Sequence, residues 1–311
     1  MKISVYITSY NKGKYISEAI DSVLGQTLQP HEIILVDDGS EDDSREIIQS
    51  HANRFPERII PVFNEQNLGI AACRNIALKR VIGEVVTFLD GDDIFYGDKL
   101  LSEYKILASQ KDLSAVYSNF NYISPSGEKV GTFSEDKDQP VTGNIFNETF
   151  LRQYNVTSGN NYIYEMFYKS CAQDIGFYDE KIKIWEDWDF RIRMSKKYKY
   201  GYCPDVNSAY RRLKNGLHNS KSEVHYREQI KIYNKNKHLM SDLEDGDKRV
   251  IHNRVYSWLK ESFVDILKSN LEEKKYIWLI LDCFQFIWTF QSKKAISFLY
   301  KELFFTPPNS V

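Results

Sequence analysis

Three carboxylates follow an apolar stretch in the first third of the chain. In "VVTFLDGDD", Asp90, Asp92 and Asp93 fill three of four consecutive positions, and Gly91 separates the first two. Carboxylates this close repel each other by roughly 1 kcal/mol per pair even in bulk water. Solvent exposure, hydrogen bonds from backbone N–H groups or a divalent cation could each offset that cost, and the motif alone leaves the three explanations open.

Two further acidic motifs and a basic segment could act together with these residues. The motif "VDDGS" supplies two carboxylates and "WEDWDF" supplies three. Lysines and arginines gather between Arg191 and Arg227. An acidic site that faces a basic segment suits a ligand carrying both a metal ion and phosphates.

The elements that must position these motifs alternate between strand and helix. Short apolar runs predict strands at residues 3–8, 32–37, 58–63 and 84–90. Apolar residues at helical spacing predict helices at 16–24 and 70–81, and Ser40 with Asp43 resembles a capping box for a helix through Ile48. Pro61 suggests that the third strand lies at an edge. This alternation predicts parallel pairing in a doubly wound α/β sheet.

The acidic motifs then fall where a ligand would bind. In doubly wound sheets, ligands bind beyond the carboxyl ends of the strands. Residues 8–11, 37–40 and 90–93 each follow a predicted strand. We therefore expect these three segments to meet at one edge of the sheet.

The rest of the chain is less regular and then becomes helical. Residues 114–124 followed by "PSG" predict a strand and a hairpin turn, 131–144 read as a polar loop, and 187–198 as a helix. After about Ser220, glycine becomes rare and long helical patterns follow. We place a domain boundary there, between residues 1–220 and 221–311.

Composition excludes several classes of protein. The formal net charge of −2 argues against a dedicated nucleic-acid binder. Four widely spaced cysteines without a CxxC pair argue against a disulfide framework or zinc site and favour a reducing cytosol. The first residues turn polar too soon for a signal peptide, and no apolar stretch is long enough to span a membrane. Dinucleotide and P-loop fingerprints are absent from the sequence.

Five motifs in order resemble those of the family 2 glycosyltransferases, which have the GT-A fold. They are "TSYNKGKY", "VDDGS", "NLGIAACRN", "LDGDD" and "GFYDEKIKIWEDWDFRIR". The resemblance covers about residues 1–220. It implies a GT-A doubly wound mixed sheet that binds a nucleotide sugar, and the region after residue 220 resembles no part of the family.

The resemblance implies a donor site. Asp38 matches the position that accepts the N3–H of uracil, with Thr8 and Tyr10 lining the base pocket, although Asp38 could instead cap the next helix. Arg74 matches a diphosphate contact. Asp92 would bind Mn²⁺ or Mg²⁺, and Asp90 would support it and touch the ribose or sugar.

The resemblance also implies an acceptor side. Asp187 matches the general base that takes the proton from the acceptor hydroxyl, which gives single displacement with inversion. The other residues implied in donor or acceptor binding are Glu186, Trp185, Trp188, Arg211 and Arg212. His218, in a basic segment that resembles a flap over the diphosphate, could reach the metal. Aromatic residues are more often core than sugar platform, so both roles stay open for the tryptophans.

The C-terminal region raises a separate question. Residues 276–290, "YIWLILDCFQFIWTF", are strongly apolar and flanked by lysines. They could form a core helix of a helical appendage, lie on a bilayer surface or make an oligomer contact. Val255, Leu259, Phe263 and Ile266 form a stripe at helical spacing that must also face something.

The sequence thus predicts an inverting, metal-dependent glycosyltransferase that uses a nucleotide sugar, a UDP-sugar by preference. A sugar or lipid-linked acceptor, a role in cell-surface polysaccharide or glycoconjugate synthesis, and a cytoplasmic location at the inner face of the membrane are consistent with it. Two alternatives remain. A sugar nucleotidyltransferase would need a glycine-rich basic loop after the first strand, and a silent sugar- or nucleotide-binding scaffold would be expected to lack one of the carboxylates.

Overall fold

The computed structural model describes residues 1–134, 140–153, 163–213 and 222–272, together with Cys283, Phe286, Ile287, Thr289, Phe290 and Phe298. The chain divides into two compact units, Met1–Gly216 and Leu217–Val311. The first unit is a mixed α/β domain and the second is helical in its described part.

The first unit is built on one sheet. Its strands are β1 Ile3–Ser9, β2 Glu32–Asp37, β3 Ile59–Phe63, β4 Val85–Asp90, β5 Ile94–Phe95, β6 Leu113–Ile123, β7 Lys129–Thr132, β8 Glu165–Tyr168 and β9 Lys199–Arg211. Its helices are α1 Gly13–Leu24, α2 Ser44–Arg54, α3 Ile70–Arg80, α4 Lys99–Ser109, α5 Phe146–Leu151, α6 Lys169–Asp174 and α7 Glu186–Lys197.

The sheet is parallel in its first half and mixed in its second. The strand order is β3-β2-β1-β4-β8-β6-β9-β5, with β7 paired to β6. The strands β3, β2, β1 and β4 pair in parallel, whereas β8 runs antiparallel to both β4 and β6. The predicted doubly wound mixed sheet is confirmed.

The parallel strands β1 and β2 are buried on both faces. Every residue of β1 and β2 is buried. Ile16, Ile20 and Val23 of α1 are fully buried in the same core. Burial of such side chains contributes roughly 1.5–3 kcal/mol each. A strand that is buried on both faces needs apolar residues at successive positions, which explains the continuous apolar runs in the sequence.

Local predictions met mixed outcomes. Pro61 lies on β3 at the sheet edge, and the hairpin after β6 is present, as predicted. The capping box was wrong: α2 begins at Ser44, and the Ser40 hydroxyl donates to Asp37 instead of capping the helix. The loop predicted for 131–144 was wrong at its start, because Gly131 pairs with Tyr122 in the hairpin; residues 135–139 lie outside the described part.

The second unit buries its own apolar stripe. Its described elements are α8 Ser222–Asn236, a 3₁₀ turn Lys237–Met240 and α9 Asp245–Glu272. Val255, Leu259, Phe263 and Ile266 of α9 are all buried. The Phe263 ring packs against Tyr226 of α8 at 5.5 Å and against Phe286 at 4.9 Å between ring centroids. The stripe therefore faces aromatic residues of the same unit.

Two of the residues in the apolar 276–290 segment take part in this packing. Phe286 and Phe290 are buried, and both contact Tyr256 of α9. Within the described residues, no helix is long and apolar enough to cross a membrane.

Candidate active site

The carboxyl ends of β1, β2 and β4 bring three of the predicted segments together. In the parallel register Thr8 is level with Asp90, and Ser9 is level with Asp37. The Thr8 hydroxyl donates to Asp90 Oδ1 at 3.2 Å. The expectation that these segments meet at one edge is confirmed, because parallel strands end at the same side of a sheet.

Gly91 is required by the protein's own packing. Its N–H donates to the Thr8 carbonyl at 2.9 Å. A Cβ at this position would lie 3.0 Å from that carbonyl oxygen and 3.1 Å from Ile16 Cδ1. The turn that carries Asp92 and Asp93 therefore follows β1 closely, which only glycine permits without displacement of neighbours.

Asp92 lies opposite a cation that sequence reasoning had overlooked. Lys12 Nζ is 2.5 Å from Asp92 Oδ2, and both side chains are mostly buried. Burial raises the pKa of Asp92, Lys12 opposes the rise and Asp90 adds to it. Lys12 could have been found from the sequence, since it is a basic residue in the loop that follows the first predicted strand.

Asp93 holds the end of the sheet together. It is buried, with Oδ1 accepting from the Arg211 backbone N–H at 2.7 Å and Oδ2 accepting from the Tyr164 hydroxyl. Burial raises its pKa well above the ordinary value, and Asp92 and Asp90 add to the effect. Asp93 thus links the acidic turn to β9 and to the residue before β8.

The repulsion among the three carboxylates of "LDGDD" is therefore offset by different partners. Asp90 and Asp92 each face a basic side chain, Arg74 and Lys12 respectively. Asp93 is held by a hydroxyl and a backbone N–H. Two of these carboxylates remain at the edge of the site, where a cation could reach them.

Arg211 is committed to the protein. Its Nε donates to the Asp92 carbonyl at 2.8 Å, and its Nη2 forms an ion pair with Glu18 at 2.6 Å. These donors of Arg211 hold the acidic turn, and the phosphate contact expected for this arginine stays a prediction. Arg212 is exposed, with its guanidinium 4.0 Å from the Tyr122 ring centroid. His218 lies outside the described residues.

Asp38 shapes the loop between β3 and α3. Its Oδ1 accepts from the Leu68 backbone N–H and from Asn64, and its Oδ2 accepts from the Gly69 N–H at 2.9 Å. Tyr10, at the neighbouring end of β1, is 43% exposed. The helix-capping alternative for Asp38 is not observed.

Asp37 stabilises the turn that precedes α2. It accepts from the Ser40 backbone N–H and hydroxyl, and Arg45 Nε lies 3.5 Å away. The adjacent Gly39 adopts a φ of +75°, and a Cβ there would lie 2.8 Å from the Gln66 backbone. Asp37 therefore closes the turn before α2, whereas Asp38 binds the loop between β3 and α3.

Arg74 connects the two acidic motifs. Its Nη2 lies 3.2 Å from Asp90 Oδ1, and its Nη1 lies 3.2 Å from Glu186 Oε1. The guanidinium is 4.8 Å from the Phe88 ring centroid, and the residue is only 2% exposed. These two carboxylate contacts bring "WEDWDF" next to "LDGDD", and the diphosphate contact expected for Arg74 stays a prediction.

Asp187 is held by a buried arginine. Arg191, one helical turn later, places Nη1 2.6 Å from Asp187 Oδ2. Glu165 of β8 accepts from Arg191 Nε, and the Ile163 carbonyl accepts from its Nη2 at 2.7 Å. Sequence reasoning missed Arg191 and Glu165, although an i,i+4 arginine and a lone acid in the apolar run "YIYEMFY" are both visible signals.

The two acids of "WEDWDF" have opposite electrostatics. Burial raises the pKa of Glu186 to about 7, despite the nearby Arg74. Burial also acts to raise the pKa of Asp187, but Arg191, Arg74 and Arg152 outweigh it and leave the pKa below its ordinary value. Asp187 is therefore ionised at neutral pH and Glu186 is close to its titration point.

Trp185 and Trp188 lie in different environments. Trp188 is buried and its indole N–H donates to the Thr149 carbonyl, so it belongs to the core and offers no face to a sugar. Trp185 is half-buried, and the Arg152 guanidinium stacks 3.8 Å from its ring centroid. Both Trp185 and Arg152 have φ in the left-handed region, at 67° and 52°. Backbone strain of this kind often accompanies functional sites.

Comparison with known proteins identifies the family. The model of glycosyl transferase family 2 matches residues 4–215. The chain belongs to glycosyltransferase family 2. The family 2 match spans the first compact unit up to its last residue but one, and it includes Lys12, Arg74, Asp92 and Asp187.

Relatives of this family 2 chain carry the same family name. An uncharacterized glycosyltransferase of Nostoc sp., alr2836, is 34% identical over 195 residues, which are 60% of this chain and 57% of the relative. The uncharacterized glycosyltransferase YwdF of Bacillus subtilis is 30% identical over 215 residues, 68% of this chain and 74% of the relative. A Rickettsia conorii relative is matched over only 23% of its length. The match thus covers less than two thirds of several relatives.

Solved structures share the GT-A fold with this glycosyltransferase. S. aureus TarS 1-349 in complex with UDP-GlcNAc has a TM-score of 0.69 at 19% identity, covering 96% of this chain and 84% of that one. The mannosyltransferase PcManGT from Pyrobaculum calidifontis, in complex with GDP-Man and Mn²⁺, has a TM-score of 0.58 at 17% identity, covering 98% and 88%. At these identities the likeness concerns the fold alone.

The donor set of the family 2 site is compatible with a hard divalent cation. No group of three or more His, Cys, Asp or Glu residues in the described ranges forms a complete metal cage. Mg²⁺ commonly takes only one or two carboxylates from the protein and completes its shell with water and substrate phosphates. The carboxylates of Asp90 and Asp92 meet that requirement.

Proposed function

We propose that this family 2 glycosyltransferase transfers a sugar from a UDP-sugar to an acceptor hydroxyl with inversion, assisted by Mn²⁺ or Mg²⁺. One observation carries the proposal. Arg74 contacts both Asp90 and Glu186, so the acids suited to a cation and the acids suited to a base belong to one site. Single displacement requires these two functions on either side of the same anomeric carbon.

Asp38, Thr8 and Tyr10 would bind the nucleoside. Asp38 follows β2 and holds the neighbouring loop through Leu68 and Gly69, and a carboxylate there can accept the N3–H of uracil. Tyr10 is exposed enough to contact a base. TarS, similar in fold, was solved with UDP and with UDP-GlcNAc, which favours a uridine nucleotide.

Asp92 and Asp90 would hold the cation. When bound, the cation would neutralise the negative charge that develops on the leaving diphosphate. Lys12 supplies a further positive charge at Asp92, and Thr8 and Arg74 orient Asp90. Arg212, which is exposed at the end of β9, is the arginine that we assign to the phosphates, with His218 as a further candidate.

Asp187 would act as the general base. It accepts the proton of the acceptor hydroxyl while that oxygen bonds to the anomeric carbon and the bond from this carbon to the diphosphate oxygen breaks, which releases UDP. Arg191 keeps the Asp187 carboxylate ionised and fixes its orientation. Trp185 and Glu186 flank it, and we assign them to donor or acceptor binding.

The acceptor is a sugar or a lipid-linked saccharide in the synthesis of a cell-surface polysaccharide or glycoconjugate. One relative is named a putative teichuronic acid biosynthesis glycosyltransferase, TuaG of Bacillus subtilis, at 35% identity over 131 residues. We assign catalysis to residues 1–220 and a supporting helical role to 221–311, at the cytoplasmic face of the membrane or in an oligomer contact.

A donor screen tests the proposal. The protein is incubated with a panel of UDP-, GDP- and TDP-sugars, with and without Mn²⁺, and release of nucleoside diphosphate is measured. We expect slow hydrolysis of UDP-sugars that depends on Mn²⁺ and is lost in Asp92→Asn. Binding of nucleotide sugars without hydrolysis or transfer would favour a scaffold, and pyrophosphate release from a nucleoside triphosphate and a sugar phosphate would favour a nucleotidyltransferase.

A further inference from the structure

Asn75 ends the motif "NLGIAACRN" and takes no part in the chemistry proposed above. It follows Arg74 on α3 and is only 4% exposed. Its side chain pairs with both backbone groups of Tyr178: Oδ1 accepts from the Tyr178 N–H at 2.9 Å, and Nδ2 donates to the Tyr178 carbonyl at 3.0 Å. Nδ2 also donates to Glu180 Oε1 at 2.8 Å. One buried amide of α3 therefore holds a segment that lies 103 residues later in the chain.

The segment that Asn75 holds leads directly into the helix of the proposed base. Residues 175–185, here called the connecting segment, join α6 to α7 and contain no helix or strand. Phe177 and Trp185 both have φ in the left-handed region, at 63° and 67°. Residues other than glycine keep this conformation only where the surrounding structure imposes it. Arg193 of α7 donates to the Phe177 carbonyl, and Asn75 supplies the anchor from α3.

Tyr178 lies between the two halves of the site. Its ring stacks on Phe190 of α7, with 4.3 Å between ring centroids and 13° between ring planes. The Arg74 guanidinium lies 5.5 Å from the centroid of the same ring. The Tyr178 hydroxyl lies 3.3 Å from the hydroxyl of Tyr6 on β1. The position of Tyr178 therefore determines how far α7, whose first turn carries the proposed base, lies from Arg74.

We propose that Asn75 is a positioning residue for sugar transfer. By fixing Tyr178 it keeps Arg74 in contact with Glu186, at 3.2 Å, and so holds the base on α7 at a fixed distance from the cation site. This role rests on the proposed function, because a reaction needs this spacing only if it uses both sides of the site. A displacement of about 1 Å at a reacting group can lower a rate by roughly a hundredfold.

Hydrogen exchange and steady-state kinetics on the full chain test this role. Asn75→Ala removes all three hydrogen bonds, and Asn75→Asp keeps the size of the side chain but places a carboxylate against the Tyr178 carbonyl. The matched control is Asn119→Ala, because the Asn119 amide pairs in the same way with both backbone groups of Ser134, at 2.9 and 3.0 Å. Amide exchange is followed at residues 176–188, and kcat and KM for the nucleotide sugar are measured on the folded fraction.

We expect faster exchange at residues 176–188 in both Asn75 variants, with kcat reduced roughly tenfold or more and KM for the donor near its wild-type value. Asn119→Ala should match the wild type in all three measurements. In combination with Glu186→Gln, the loss of kcat in Asn75→Ala should be less than additive, because both changes act through the contact with Arg74. The losses from Asn119→Ala and Glu186→Gln should add.

Unchanged exchange in Asn75→Ala, or faster exchange with a wild-type kcat, overturns this role and leaves the proposed function standing. An equal loss of kcat in Asn75→Ala and Asn119→Ala, or full additivity of Asn75→Ala with Glu186→Gln, makes Asn75 a general stabilising residue and also overturns it. A wild type that releases nucleoside diphosphate from no nucleotide sugar overturns the proposed function, and the positioning role with it.

Discussion

The Arg191 guanidinium lies 2.6 Å from the Asp187 carboxylate, with Glu165 on its other side. Arg191 fixes the orientation of the Asp187 carboxylate and lowers its pKa. The arginine is fully buried, so its interaction with Asp187 is screened little by solvent. Glu165 of β8 therefore helps to hold the arginine of α7 that pairs with the proposed base.

Loss of Arg191 should change the pH dependence of transfer. Arg191→Met removes the main cation that holds the pKa of Asp187 down. We expect the acid limb of the pH–rate profile to move to higher pH, because the base is then protonated more easily. The measurement is kcat/KM against pH, taken on the folded fraction, since breaking a buried pair costs about 3–5 kcal/mol of stability.

Arg193→Met is the matched control for this experiment. Arg193 forms an i,i+4 ion pair with Asp189 on the same helix and donates to backbone carbonyls. It should also lower stability, but it should leave the acid limb in place. An equal displacement of the limb in both variants would contradict the role given to Arg191.

Substitution of the base should separate binding from chemistry. Asp187→Asn keeps the size of the side chain but cannot accept the proton. We expect transfer to fall by roughly a hundredfold or more, while UDP binding by calorimetry stays at the wild-type level. Asp174→Asn, an exposed residue paired with Lys197, serves as the control. Transfer at a near wild-type rate by Asp187→Asn would rule out this assignment.

The wild-type pH profile should distinguish Asp187 from Glu186. A carboxylate base is active when ionised, so activity is lost as the pH falls through its pKa. The pKa of Glu186 is raised to about 7, whereas that of Asp187 lies below its ordinary value of about 3.9. We expect no acid limb near pH 7. A limb there that disappears in Glu186→Gln would move the base to Glu186.

Substitution of the proposed cation ligand should remove the metal-dependent part of nucleotide binding. We expect Asp92→Asn to keep the fold, because asparagine has nearly the same size and its amide oxygen can still accept from Lys12. We expect Mn²⁺ to increase the affinity for UDP in the wild type and to have no effect in the variant, as measured by calorimetry. Asp112→Asn, an exposed acid elsewhere, should behave as the wild type. An unchanged response to Mn²⁺ in Asp92→Asn would refute the ligand assignment.

A core substitution in the C-terminal unit should leave the catalytic unit unaffected. Phe263→Ala removes a buried ring that contacts Tyr226 and Phe286, and should destabilise this unit by about 3–5 kcal/mol. We expect a separate, lowered transition in thermal unfolding with unchanged UDP binding. Val250→Ala, at an exposed position, should change stability by less than about 0.5 kcal/mol. Loss of UDP binding in Phe263→Ala would contradict the assignment of nucleotide binding to residues 1–220.

Much of the fold could be predicted because local patterns and burial agreed. The apolar runs of β1, β2 and β4 predicted these strands, and the edge position of β3 followed from one proline. The capping box predicted at Ser40 was wrong because a side-chain hydroxyl can donate to a nearer acceptor. The Ser40 hydroxyl donates to Asp37, before α2 begins.

The sequence by itself determined the family, the sheet edge and the acids that gather there, since parallel strands must end on one side. Only the tertiary structure decided what each acid faces. It placed Lys12 against Asp92, Arg74 between Asp90 and Glu186, and Arg191 between Asp187 and Glu165. Most of these partners are far apart in the chain, and the field at a carboxylate depends on distances in space that no local pattern encodes.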